Sequence, residues 1–347
     1  MTDPLLPLAR MARIITDLSL FTPLNLQEEK EKVLADASHT PRFTYKQRDF
    51  SIDEYRKELE SFLQEPQDED QRISDLVHER VRELMLWLDM HQAKDNAAFT
   101  HASSLLYGTP IPRVLQAAKK DIDEADAKTP AERTLTAQDI RPRFEKALAD
   151  MGLSWPVVIT GGLVGRMHLI KGKELRINKN ARFNDLDVEK LIVHEIRTHA
   201  KRYVNGLQQD NRIFAIGTAH FLETEEGLAT LNEEKANVLT PRVKKNLAAR
   251  AVAVDMALRK PFNDVYRYLA LKVPKEKAFE IALNVKRGLP DQSRPGAFTK
   301  AAIYYSGYQK VKTLGEEDAR YLYVGKVSIN HLPLIKELVN EEKVKLP

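Results

Sequence analysis

Cysteine is absent from the 347-residue chain, which excludes disulfide bonds and cysteine-ligated zinc sites. Any metal site must therefore use histidine and carboxylate side chains. The absence also fits a reducing compartment, and we expect a cytoplasmic protein. Long apolar runs are missing too, since no segment approaches the ~20 residues that a membrane span needs. Asp3, Arg10, Arg13 and Asp17 interrupt the apolar residues near the N-terminus, so the sequence predicts no signal peptide.

A strong excess of one charge is also missing. Lys and Arg number 54 and Asp and Glu number 50, which gives a formal net charge of +4. So small an excess does not favour a nucleic-acid partner, although it is compatible with an acidic substrate. The N-terminal amphipathic stretch, residues 4–20, could alternatively lie on a membrane, but its polar face is not basic enough for that function. We therefore expect neither a nucleic-acid nor a membrane partner.

The hydrophobic pattern predicts an α+β fold that is mainly helical. Helical periodicity predicts helices over 4–20, 26–37, 53–63, 71–93, 99–106, 144–151, 188–203, 213–237, 242–258, 262–271, 275–287, 298–314 and 333–339. Residues 155–160 are strand-like, and residues 167–178 predict a β-hairpin. Residues 120–137 are charged and poorly patterned, which predicts a linker. We divide the chain into a mainly helical N-terminal region, residues 1–138, and a catalytic domain with C-terminal helices, residues 139–347.

One helix carries the motif His194-Glu195-Ile196-Arg197-Thr198-His199, which reads HExxxH. Two imidazoles and an adjacent carboxylate are what a catalytic zinc site needs, namely two ligands and a general base for water. The spacing imposes a condition, because residues i and i+5 of a regular α-helix point about 140° apart. A π-helical turn, with about 4.4 residues, brings them within about 50° of each other. If the motif binds zinc, the helix must therefore widen near Thr198.

A third ligand is expected from the stretch Thr224-Glu225-Glu226-Gly227, about thirty residues downstream. Glu225 and Glu226 lie ~100° apart on a helix, so they cannot both be expected to bind. We favour Glu226 as the ligand, because the small Gly227 beside it would let two helices approach closely. Glu225 is then a carboxylate that orients an imidazole, and Glu223 is the alternative ligand. A small sheet beside a buried helix with this motif is typical of zincin-type peptidases.

These two motifs, HEIRTHA and TEEGLA, resemble those of the tyrosine carboxypeptidase family, which includes the microtubule-associated tyrosine carboxypeptidases. The resemblance also covers prokaryotic relatives named after a QEGLA motif. If glutamine is accepted at the position of Glu225, that residue is not the ligand, which again favours Glu226. The family is similar to gluzincin-type zinc peptidases. The resemblance therefore implies Zn²⁺ as cofactor and a zincin-like fold in which His194, His199 and Glu226 bind the metal.

The resemblance extends to C-terminal segments that supply candidates for substrate binding. A carboxypeptidase must hold the terminal carboxylate of its substrate, which Arg does through bidentate contacts. Arg287 and Lys300 lie in the matching segments Lys286-Arg287-Gly288 and Gly296–Lys300, and Arg197 is a third candidate.

The oxyanion of the tetrahedral intermediate also needs a partner. Tyr304 or Tyr305 could stabilise it, although packing is an equally good interpretation of each tyrosine. His220 is another candidate for that role, and its alternative is a packing residue near the metal ligands.

Two positions depart from the family pattern. The family motif usually reads HEIGTH, whereas this chain has Arg197 in place of Gly. The cation could narrow the pocket, bind a substrate carboxylate or point outward. The family tends to have Asp after Phe-Thr-Lys, whereas this chain has Ala301. Any role that the Asp carboxylate has in the family cannot be filled by this alanine.

Together, the residues predict a zinc-dependent metallocarboxypeptidase that removes a C-terminal Tyr or Phe from a peptide or protein, with Glu195 as the general base. One alternative is a zinc aminopeptidase or endopeptidase on the same scaffold. The other is a regulatory or binding protein in which zinc is structural or absent.

Overall fold

The computed structural model describes residues 3–124, 131–161, 163, 165–170, 172 and 174–347. Helices dominate this part of the chain. They are α1 Leu6–Ile15, α2 Leu26–Ala35, α3 Ile52–Phe62, α4 Gln71–Gln92, α5 Asn96–Tyr107, α6 Pro112–Asp123, α7 Ala137–Ala149, α8 Asp185–Leu191, α9 Lys201–Leu207, α10 Ile213–Ile216, α11 Phe221–Lys235, α12 Pro241–Ala257, α13 Phe262–Ala270, α14 Lys275–Lys286, α15 Ile303–Val311, α16 Glu316–Tyr321 and α17 Leu332–Asn340. A π-helical segment, Ile192–Ala200, joins α8 to α9.

The predicted small sheet is present. It consists of the strands β1 Val157–Thr160, β2 Met167–Ile170 and β3 Glu174–Asn178, in the order β1-β3-β2. The β2–β3 hairpin is antiparallel as predicted, with Met167 opposite Ile177. In contrast, β1 runs parallel to β3. The α+β class is therefore confirmed, although the hairpin residues Lys171 and Lys173 lie outside the described residues.

The sheet supports the helix that carries the HExxxH motif. Ile192, Ile196 and Ala200 form a stripe at four-residue spacing and pack with Leu175 and Ile177 of β3. This stripe is the back of the helix, and it fixes the helix against the sheet. Upstream, Asn184 caps α8 as predicted, since its side chain accepts a hydrogen bond from the backbone N–H of Asp187.

Three predicted helical boundaries were wrong. The first helix ends at Ile15 and not near residue 20, because the side chain of Asp17 caps a new 3₁₀ turn at Leu18–Phe21. The region 213–237 is broken between α10 and α11, where Gly217 and His220 take positive φ angles of 111° and 57°. Residues 298–314 begin with a 3₁₀ turn at Thr299–Ala302 instead of an α-helix.

The linker predicted over 120–137 was also wrong in part. Helix α6 continues to Asp123 because Val114, Ala118 and Ile122 keep a buried stripe beneath the charged residues. Residues 125–130 of that predicted linker lie outside the described residues.

The largest hydrophobic core joins both ends of the chain. It contains buried residues from α1, α4 and α5 together with others from α11, α15 and α17. The division at residue 138 stays a prediction. Within the described ranges, no helix is both long enough and apolar enough to cross a bilayer.

Candidate metal and substrate site

The widened turn that the HExxxH spacing demands is present. Ile192–Ala200 is π-helical, and the hydroxyl of Thr198 donates a 2.9 Å hydrogen bond to the carbonyl of Val193, five residues earlier. The rings of His194 and His199 are consequently neighbours, with centroids 4.6 Å apart and planes at 89°. A straight α-helix would have pointed the two rings apart. The predicted π-helical geometry is therefore confirmed.

Both imidazoles turn their Nε2 atoms toward one carboxylate on α11. Glu226 Oε2 lies 3.6 Å from Nε2 of His194 and 3.9 Å from Nε2 of His199. Possible ligand atoms of these three residues all lie within 4.8 Å of one another. The structure thus brings together the three residues that the sequence singled out as metal ligands.

The opposite nitrogen of each imidazole faces a second carboxylate. Nδ1 of His194 lies 2.7 Å from Oε1 of Glu233, and Nδ1 of His199 lies 3.3 Å from Oε1 of Glu225. Carboxylates in these positions fix the orientation of imidazoles that bind a metal through Nε2. Sequence reasoning missed Glu233. Its spacing of seven residues from Glu226, two turns along the same helical face, was the available signal.

A fully buried arginine holds Glu225 in place. Nη1 of Arg202 lies 2.5 Å from Oε2 of Glu225. The remaining donors of this guanidinium bond to the carbonyls of Leu322 and Val327, at 3.0 and 2.7 Å. Arg202 therefore connects the histidine site to the C-terminal segment of the chain.

The charges of the cluster support one another. Burial opposes a charge on His194, but the nearby carboxylates of Glu226 and Glu233 outweigh it and raise the pKa of His194 well above its usual value. Burial likewise opposes a charge on Glu226, yet its close contact with His194 and the charge of His199 hold its pKa at about 2. Glu226 is therefore an anion at neutral pH, which is the form that binds metals.

The donor set fits a zinc ion. Bonds of about 2.1 Å in a tetrahedral arrangement place ligand atoms roughly 3.4 Å apart, close to the 3.6 and 3.9 Å observed between the Nε2 atoms and Glu226. Two imidazoles and one carboxylate also match the ligands of hydrolytic zinc sites that keep a fourth position open. Glu195 is half-buried beside this cluster, and its charge contributes to the raised pKa of His194.

Gly227 permits a close helix approach, but to a different helix from the one expected. A Cβ atom at Gly227 would lie 2.4 Å from the carbonyl carbon of Gly307 in α15. The sequence had suggested that Gly227 lets α11 approach the HExxxH helix. Its actual partner is α15, and the two glycines bring α15 alongside Glu226.

Three cations from separate elements meet at one small pocket, Arg250 from α12, Arg287 from the end of α14 and Lys300 from the turn before α15. Arg250, Arg287, Lys300 and Tyr304, with Asn284 and Ala301, line a space of about 90 Å³. The charge of Lys300 contributes to the lowered pKa of Glu226, so Lys300 lies within electrostatic range of the histidine cluster. Two members, Arg287 and Lys300, were predicted from the sequence, whereas Arg250 on α12 was not.

A larger cavity begins one helical turn before Glu226. Leu222 and Glu223 of α11, together with Leu106 and Ile303, line a space of about 450 Å³. The carboxylate of Glu223, the alternative ligand, points instead to Lys310 at 3.1 Å. Residues i and i+4 share a helical face, so Leu222 and Glu226 project to the same side of α11.

Other candidate residues lie in different surroundings. The buried Tyr305 hydroxyl donates a 2.6 Å hydrogen bond to Asp121 on α6, and this bond occupies the group that an oxyanion would need. The ring of His220 bonds to the carbonyl of Leu106 at 3.0 Å and lines the larger cavity. Arg197 is exposed on the motif helix, which agrees with the outward orientation considered above.

Comparison with known proteins supplies a family context. The family model described as microtubule-associated tyrosine carboxypeptidase matches residues 32–347. The protein named "Putative tyrosine carboxypeptidase MATCAP2" of Mus musculus is 29% identical over 175 residues, which cover 46% of this chain and 32% of the relative. "Microtubule-associated tyrosine carboxypeptidase 1" of Homo sapiens is 30% identical over 131 residues, covering 36% and 27%. The matched region spans about a third of the length of these curated relatives.

Proposed function

Because this chain belongs to the microtubule-associated tyrosine carboxypeptidase family, we propose that it is a zinc-dependent carboxypeptidase. Its substrates are peptides or proteins from which it removes a C-terminal Tyr or Phe. The observation that carries the proposal is the convergence of His194 and His199, both on the π-helical turn, with Glu226 of α11, near a pocket lined by three cations.

His194, His199 and Glu226 would hold the zinc ion, with Glu233 and Glu225 orienting the two imidazoles. When bound, zinc polarises a carbonyl group and lowers the pKa of water to about 7. Glu195 accepts a proton from the attacking water and returns it to the leaving amine. Tyr304, whose hydroxyl lies 3.4 Å from Nζ of Lys300, donates a hydrogen bond to the developing oxyanion. The helix on a small sheet supports the further proposal that the fold is zincin-like.

The pocket chemistry favours a carboxypeptidase over an aminopeptidase. Arg287 and Lys300 suit the terminal carboxylate of a substrate, whereas an aminopeptidase needs carboxylates that bind a terminal ammonium group. The 450 Å³ cavity with Leu106, Leu222 and Ile303 on its walls has the volume and the apolar surface to hold an aromatic side chain.

The test combines metal analysis with cleavage of peptides that end in Tyr. We expect about one zinc ion per chain, release of free tyrosine, and loss of that release on chelation. Glu195→Gln should retain the metal and lose at least about 100-fold in kcat, because the general base is gone while the ligands remain. Full activity in this variant would refute the assignment of Glu195, and cleavage of a C-terminally amidated peptide would favour an endopeptidase.

A further inference from the structure

The small pocket beside the metal site has an unusual charge balance. Arg250, Arg287 and Lys300 all line it, and within the described part of the chain no carboxylate pairs with any of the three. Buried Nε atoms of Arg250 and Arg287 also have no hydrogen-bond partner. Three partly desolvated cations therefore line one pocket, and two of them have an N–H donor without a hydrogen-bond acceptor among the described residues.

Aromatic rings, not acidic groups, hold these cations in position. The guanidinium of Arg250 lies 4.9 Å from the ring centroid of Tyr304, and Nζ of Lys300 lies 5.2 Å from the same ring. The guanidinium of Arg287 lies 5.5 Å from the ring centroid of Phe298. Cation–π contacts position a cation without neutralising it. The charges consequently stay available to a ligand.

Burial of these three cations without a bound anion is energetically unfavourable. Burial lowers the pKa of the Arg287 guanidinium from its ordinary value, and the neighbouring charge of Arg250 adds to this effect. Uncompensated cations in a partly buried space are stabilised when an anion makes charge-assisted hydrogen bonds with them. The geometry thus prepares a site for one negatively charged group.

The volume of the pocket restricts that group. A space of about 90 Å³ corresponds to roughly three water molecules at about 30 Å³ each. It has room for a carboxylate and its attached carbon. Lys300 and Tyr304 of the pocket belong to the turn before α15 and to α15 itself, the helix that packs through Gly307 against Gly227, the neighbour of Glu226 on α11.

We propose that Arg250 completes, with Arg287 and Lys300, the site that binds the terminal α-carboxylate of the substrate. The inference rests on the proposed carboxypeptidase function. It assigns a role to Arg250, which lies on α12, outside the two metal motifs.

The experiment measures binding separately from turnover. Zinc-loaded protein carrying Glu195→Gln is titrated calorimetrically with a peptide ending in Tyr, as the free carboxylate and as the amide. We expect the carboxylate to bind about 10- to 100-fold more tightly, which is the range for a charged hydrogen bond. Adding Arg250→Met should remove most of this difference in affinity between the two peptides. Arg250→Lys should retain part of the difference, because lysine keeps the positive charge but lacks the paired N–H donors of the guanidinium.

Arg242→Met is the matched control, because Arg242 is an exposed arginine on the same helix. Its carboxylate preference should be unchanged. In protein with Glu195 intact, Arg250→Met should raise KM for the Tyr peptide by about 10- to 100-fold with a smaller effect on kcat. A peptide ending in Tyr-Tyr should lose single tyrosines and no dipeptide.

The outcomes separate the two proposals. Absence of zinc-dependent cleavage in the wild-type protein would refute the carboxypeptidase function itself. Cleavage with an unchanged carboxylate preference in both Arg250 variants would refute the role of Arg250 alone. Release of Tyr-Tyr as a dipeptide would contradict the removal of single residues by the proposed carboxypeptidase. Competition by inorganic phosphate without any preference for the peptide carboxylate would show a site for small anions only.

Discussion

At the scale of single residues, the site depends on carboxylates behind the imidazoles as much as on the histidines themselves. Glu233 and Glu225 each face the Nδ1 atom of one histidine, so both rings present Nε2 to Glu226. Glu233 is almost fully buried, and its contact with His194 is the shorter of the two at 2.7 Å. This position holds one ring proton of His194 on Nδ1, so that a metal ion can take the place of the other ring proton on Nε2.

We therefore expect Glu233→Gln to weaken zinc binding by about 10- to 100-fold, because the amide cannot supply the negative charge that holds the imidazole. The measurement is the zinc dissociation constant in competition with a chromophoric chelator. Glu234→Gln is the control, since the neighbouring carboxylate bonds instead to Tyr308 and Lys312. Equal affinity in both variants would contradict the orienting role of Glu233.

At the scale of helices, two glycines determine how the metal site meets the substrate site. Gly227 of α11 and Gly307 of α15 lie in direct backbone contact, where a Cβ on either residue would overlap the other helix. The contact sets Glu226 of α11 against the start of α15, where Lys300 and Tyr304 project into the cationic pocket. The distance between the two sites is therefore a property of this helix pair.

Gly227→Ala should lower the free energy of unfolding by at least about 1–3 kcal/mol, because the added methyl group must push the backbone of α15 away. It should weaken zinc binding as well, since Glu226 is the adjacent residue. Urea denaturation measures the first effect and chelator competition the second. Gly315→Ala serves as the control, because a Cβ there meets no atom within 4 Å. Equal stability of the two variants would show that α15 moves to accommodate the methyl group without a loss of folding free energy.

At the scale of the whole molecule, the histidine helix is anchored to the far end of the chain. Arg202 bonds to the carbonyls of Leu322 and Val327, and Asn205 bonds to that of Tyr323. Asn232 on α11 donates to both Thr198 and the hydroxyl of Tyr323. The segment around residues 322–327 consequently holds the two helices of the metal site together.

Arg202→Met should cost about 3–5 kcal/mol of folding free energy, because it leaves the carboxylate of Glu225 buried without its cation. The double variant Arg202→Met/Glu225→Gln should recover part of that loss, as the uncompensated charge is then gone. Chemical denaturation of the two single variants and the double variant measures the coupling. Strictly additive losses would argue against the ion pair as the source of the effect.

The sequence was informative where a pattern is local. The HExxxH spacing demanded a π-helical turn, and Asn184 marked a helix start, because both depend on residues within a few positions of each other. The sequence did not reveal Arg250, nor the contact of Gly227 with Gly307, since these depend on how distant helices pack. Helix α6 was not predicted because its buried stripe of Val114, Ala118 and Ile122 is hidden among charged residues.

The π-helical segment has a consequence for how such a motif can arise in evolution. A widened turn absorbs one extra residue while the helix on either side keeps its phase. The insertion of a single codon between the two histidines would thus leave Ile192 and Ile196 on the sheet and Arg202 beside Glu225. A change between the HExxH and HExxxH spacings is therefore compatible with unchanged packing of the helix on either side of the motif.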